Sequence, residues 1–69
     1  MNYIVTGILG DGLLSLRLLE LGFIPGTVIQ FENKLKDMYI VHILSQNKID
    51  CSYVMRGEEF SLISHRPLL

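Results

Sequence analysis

Apolar and polar positions alternate along most of this chain, and one leucine-rich stretch of a different period interrupts them. Tyr3 to Leu9 is bulky and β-branched, ending at Gly10-Asp11-Gly12, and predicts a strand followed by a loop. From Leu13 to Leu21 the composition becomes helix-favouring, and at about 100° per residue Leu14, Leu18 and Leu21 share a narrow sector, the expected core face. Leu16 and Leu19 fall on nearly the opposite side, beside Glu20, so the helix is apolar on more than one face.

Gly22 follows the last helical leucine, where a left-handed cap suits glycine alone, and Pro25-Gly26 suits the centre of a type II turn. A strand is expected over Thr27 to Glu32, with Ile29 and Phe31 inward. The polar run Asn33 to Asp37 separates it from another over Met38 to Leu44. There Tyr39, Val41 and Ile43 form the inward face, and Met38, Ile40, His42 and Leu44 a second, largely apolar one. Ser45 to Asn47 supplies a hairpin turn, and Lys48 to Met55 alternates with Ile49, Cys51, Tyr53 and Met55 inward. Gly57 to Glu59 reads as a turn or single helical turn and Phe60 to Ser64 as a short last strand. The end of the chain, over 64–69, is expected as a tail because Pro67 cannot donate to a ladder. Short, evenly spaced strands with one early helix describe a small, mostly antiparallel barrel.

Sixty-nine residues make one domain, 1–69, with a small core. Apolar residues make up 49% of it and charged ones only 19%, leaving apolar surface for a partner. Six basic and seven acidic residues, with no block of either sign, argue against nucleic-acid binding. The apolar runs fall far short of the roughly 20 residues that cross a bilayer, so membrane insertion is not expected and a cytoplasmic location is. The lone Cys51 agrees with a reducing compartment.

The run Arg17-Leu18, Glu20-Leu21-Gly22 and Pro25-Gly26-Thr27 resembles the hallmark of the ferrous iron transport protein A (FeoA) family. Val5-Thr6-Gly7-Ile8 with Gly10-Asp11-Gly12 is similar to the strand and loop before that family's helix. Ile29, Phe31, Asp37, Tyr39, Val41, Met55-Arg56, Glu58-Glu59 and Ile63 resemble its later strands and closing turn. The resemblance implies an all-β, SH3-like barrel with one short α-helix inserted after the first strand. It also implies a non-enzymatic cytoplasmic accessory of the membrane transporter FeoB, a polytopic protein with a cytosolic GTP-binding domain. Three departures stand out. A leading segment of about ten residues usual in the family is not present before the first strand, which leaves a barrel edge expected to be open. A glycine-aspartate-proline step is reduced to Asp37, and His65 stands where an apolar residue is usual.

Chemistry finds little foothold. Cys51 with His42 or His65 is the only thiol and imidazole set, and alternation places Cys51 and His42 on opposite faces, so no catalytic residue is assigned. His42, His65, Glu58 and Glu59 lack a ligand spacing, and Gly10-Asp11-Gly12 lacks the lysine and hydroxyl residue of a phosphate loop; neither metal nor cofactor is expected. Tyr3, Tyr39 and Tyr53 are candidates for an aromatic peptide groove, although Tyr39 and Tyr53 read as core. Protein binding is the favoured activity, with Leu16, Leu19, Arg17, Met38, Ile40 and Arg56 as candidate contacts and Leu18, Leu21, Gly22, Pro25 and Gly26 as fold-forming positions. The structural expectation for Arg17 and Arg56 is an aliphatic stem over the barrel with its head paired to Glu20 or Glu58. The alternative function is a stand-alone SH3-like module, either metal-responsive and regulatory or self-associating as a homo-oligomer.

Overall fold

The computed structural model describes residues 1–69, and its element order is β1 (Tyr3–Ile8), α1 (Leu13–Leu21), β2 (Val28–Leu35), β3 (Met38–Ser45), β4 (Lys48–Arg56), α2 (Gly57–Phe60) and β5 (Ile63–Pro67). The five strands form one antiparallel sheet in the order β4-β3-β2-β1-β5. The chain therefore has the all-β, SH3-like fold with a helix after the first strand. Its core is Val5, Leu18, Phe23, Ile29, Val41, Ile43, Met55 and Ile63, so every strand, α1 and the residue leaving α1 each supply a side chain.

The exit from α1 is built from its own backbone. Gly22 takes φ 110°, its N–H reaches Leu19 O at 3.1 Å, and Phe23 N–H reaches Leu18 O at 3.1 Å. This paired arrangement closes a Schellman motif, whose usual apolar contact is met by the buried Leu18 and Phe23. Pro25 and Gly26 follow in a turn closed by Thr27 N–H to Ile24 O at 3.0 Å, with Gly26 at φ 97°, as a type II turn requires.

Five local expectations change. The core face of α1 is centred on Ser15 and Leu18, with Leu21 half-buried and Leu14 exposed. Ser15 occupies the inner position because its hydroxyl donates to Leu9 O at 2.6 Å, which satisfies a loop carbonyl that a leucine would leave unpaired. The polar run after Glu32 is not a loop. β2 continues to Leu35 and only Lys36 and Asp37 turn, held by Asn33 Nδ2 donating to Lys36 O at 2.8 Å. Both faces of that ribbon meet water, so its polarity reports exposure.

Ile49, expected inward, is exposed because the β3–β4 register shifts between Ile43 and Leu44, and the extra residue, Asp50, breaks the alternation. The expected tail is mostly strand: His65, Arg66 and Pro67 pair with Val5, Ile4 and Tyr3. Pro67 is tolerated because it ends β5, an edge strand whose outer side needs no donor. Phe60 belongs to α2, not to that last strand.

Candidate partner-docking surfaces

The exposed leucines of α1 follow from the position of its buried stripe. With Ser15 and Leu18 inward, Leu16 points away at 51% exposure, beside the exposed Leu13 and Arg17. Leu19 lies at the margin of the stripe, exposed at 40%.

A second apolar surface covers the outer side of β3 and β4. Met38 pairs with Arg56, Ile40 with Val54, and Leu35 at the end of β2 with Met38. Leu35, Met38 and Val54 are exposed and Ile40 is half-buried. An open pocket of about 520 Å³ lies there, walled by the β2–β3 turn, the end of β4 and Glu59 of α2. Leu35 escaped the sequence reading because it sits in a polar run, whereas Val54 was legible as an outward position of β4.

The candidate contacts thus divide into two groups. The end of α1 packs on the inner side of the sheet, since Tyr53 Oη donates to Leu21 O at 3.3 Å and a Cβ at Gly22 would lie 3.5 Å from Ile43 Cδ1. Met38 and Ile40 alternate to the other side of β3. Leu16, Leu19 and Arg17 therefore form one surface, and Met38, Ile40 and Arg56 another. Neither arginine finds the acidic partner expected of it, for the cation paired with a carboxylate is Lys34, 3.1 Å from Glu32, and the His42 ring lies 3.7 Å from the same carboxylate.

Asp37 has a specific task. Gly57 N–H is shared between the Asp37 carbonyl and Asp37 Oδ1, each at 3.0 Å, which ties α2 to the β2–β3 turn. A Cβ on Gly57 would stand 2.2 Å from that oxygen.

The titratable groups are tied into the sheet. His42 Nδ1 is 2.7 Å from Ser52 Oγ on the outer face, while Cys51 is half-buried against the core on the inner one. Hydrogen bonding and charge from Lys34, with a smaller contribution from His42, hold the Glu32 carboxyl below its ordinary value against slight desolvation. Tyr53 is pushed up, first by its contact with the Cys51 side chain and then by desolvation. No three His, Cys, Asp or Glu side chains converge as a metal site would need.

His65 behaves as the apolar residue it replaces. Its ring packs 5.2 to 5.4 Å from Phe31, Tyr3 and Phe60. Its Nδ1 carries the proton, because it lies 2.7 Å from Ile63 O and a carbonyl only accepts. The row continues through Tyr39, stacked 4.4 Å from Phe60. Tyr3 and Tyr39 are thus engaged in an internal aromatic row, and Tyr53 edges onto Phe23 at 5.6 Å.

No helix is long and apolar enough to cross a membrane. No curated protein and no solved structure matches the chain significantly. The family model for the FeoA domain matches residues 2–67, nearly the whole chain, which therefore belongs to the FeoA domain family and takes part in ferrous iron transport.

Proposed function

We propose that this chain is a non-enzymatic accessory of ferrous iron uptake, which docks on the cytosolic side of the transporter FeoB and biases its conformation or GTPase cycle. The observation that carries the docking surface is Leu16, half exposed on a helix whose core contacts are already supplied by Ser15, Leu18 and Leu21. Leu13 and Leu19 widen the same apolar face, and Arg17 adds a cation without an internal partner. The reading as non-enzymatic is supported by the separation of Cys51 from His42 across the sheet, which leaves the thiol without a base beside it.

Burying a leucine contributes about 1.5–3 kcal/mol, so an ionised side chain in its place weakens such a contact by tenfold or more. Co-purification with the membrane transporter tests this. Wild type is expected to be retained, Leu16→Glu and Leu19→Glu to be lost, and Met38→Glu, on the other side of the sheet, to be retained. Failure of wild type to co-purify overturns the docking reading, and retention of both leucine variants overturns the choice of surface.

A further inference from the structure

Three neighbouring strands bring Glu32, His42 and Ser52 together on the outer face of the sheet. His42 of β3 stands directly across from Ser52 of β4, and Glu32 lies two residues beyond Gln30, the partner of His42 on β2. The Arg56 N–H turns away from β3 to reach Glu59 Oε1, so Val54 and Ser52, in step with it along β4, also direct their backbone groups away from β3. His42 and Ser52 therefore form a pair without ladder bonds between them, the kind whose side chains approach most closely. Because β4 is the outermost strand, the Ser52 N–H has no strand partner.

The imidazole joins the other two side chains. Its Nδ1 is 2.7 Å from Ser52 Oγ and its Nε2 3.7 Å from Glu32 Oε2, while Lys34 holds the second carboxylate oxygen at 3.1 Å. The ionised Glu32 favours the ring proton on Nε2, which leaves Nδ1 to accept from the serine hydroxyl. Ser52 is exposed and the His42 side chain only 18% so, which opens the hydroxyl to a reagent and shelters the base. Ile40 with Val54 on one side, and Leu44 with Ile49 on the other, flank the pair with apolar surface. Nucleophile, base and orienting carboxylate in one row are what activates a serine.

We propose that Ser52 is a modification site, which takes an acyl group from an activated ester with His42 as its base. Ser52 Oγ attacks the ester carbonyl carbon as the hydroxyl proton passes to His42 Nδ1. The bond to the leaving oxygen then breaks, that oxygen takes the proton from the imidazolium, and Ser52 keeps the acyl group as a new ester. Glu32 stabilises the imidazolium between the two steps, and the unpaired Ser52 N–H offers a donor to the carbonyl oxygen as it gains charge. Val54 and Ile49 flank the acyl chain. The product is a chain carrying one acyl group, on the side of the sheet away from the α1 leucines, so the outcome is independent of the docking reading.

The probe is p-nitrophenyl butyrate, with nitrophenolate release followed by absorbance and the butyryl group located by peptide mass spectrometry. Release of one equivalent, with the butyryl group on Ser52, is expected. Ser52→Ala is expected to abolish that labelling and His42→Ala to slow it about a hundredfold, the low end of what a general base contributes. Glu32→Ala is expected to slow it less and to move the imidazole nitrogen resonances of His42 away from the form protonated on Nε2. Cys51→Ala is expected to react as wild type does, which separates the hydroxyl from the neighbouring thiol. The dispersion of the amide spectrum verifies that each variant is folded. Butyryl groups confined to lysines or the amino terminus, an equal rate in His42→Ala, or release without an ester on Ser52 overturns the proposal.

Discussion

A side chain that looks interchangeable in the sequence has a specific duty in the fold. Asp37 sits in a polar run where any solvated residue would satisfy the pattern, yet it alone ties α2 to the β2–β3 turn through Gly57 N–H. Gly57→Ala places a methyl group where Asp37 Oδ1 stands, so the carboxylate must swing away and surrender its hydrogen bond. The expected cost is about 1.5–3 kcal/mol, the range for hydrogen bonds to charged groups, read from the urea midpoint. The same substitution made in an Asp37→Ala background is expected to cost less, because the clash and the bond are gone together. Additive losses would show that the two residues act independently. Gly57 was legible as a break in alternation, but its closeness to Asp37 was not, because a pairing across 20 residues leaves no local trace.

At the scale of elements, periodicity was a good guide wherever one face of an element is buried and a poor one elsewhere. The boundaries of α1 followed from Gly12, Gly22 and the leucines, but its rotation did not. Leucine identity favoured Leu14, whereas a serine bonded to Leu9 O took the inner position. In the ribbon of β2 and β3, water on both sides removed the alternation that announces a strand, and the last residues of β2 read as loop. The outlying half of the sheet face also bears Glu32, a carboxylate with a displaced titration. Lys34 holds Glu32 below its ordinary value near 4.5 in the folded state. Its contribution to stability is thus present above that value and lost as pH falls through the lower folded one. An NMR titration is expected to place the Glu32 midpoint below 4.5, and Lys34→Ala to return it toward that value, since Lys34 is the larger influence and His42 the smaller. A midpoint unmoved by the substitution would remove Lys34 as the cause.

For the whole molecule, the family and its barrel were legible in the sequence, while the division of apolar surface between α1 and the outer side of β3 and β4 was not. Composition counts exposed leucines and valines without saying which side of the sheet carries them. The sheet is also uneven in how far apart its partners lie along the chain. β2, β3 and β4 join through two short turns, whereas β1 takes most of its ladder from β5, with Thr6 Oγ1 donating to Ser64 Oγ at 2.8 Å across 58 residues. Long closures form late when a local meander is available to form first. Ile63→Val in β5 is therefore expected to cost about 1 kcal/mol and to appear as an unfolding rate raised about fivefold with the folding rate unchanged. Val41→Ala in β3 is expected to slow folding. Stopped-flow measurements across denaturant decide between this order and its reverse, in which the β5 variant would be the slow folder. During synthesis the same arrangement leaves the β5 side of β1 uncovered while β2, β3 and β4 are made, since β5 is the last strand of the sheet to leave the ribosome. A nascent chain of this protein therefore offers Ile4 and Val5 to chaperones, or to the β1 of a neighbouring nascent chain, until β5 emerges to cover them.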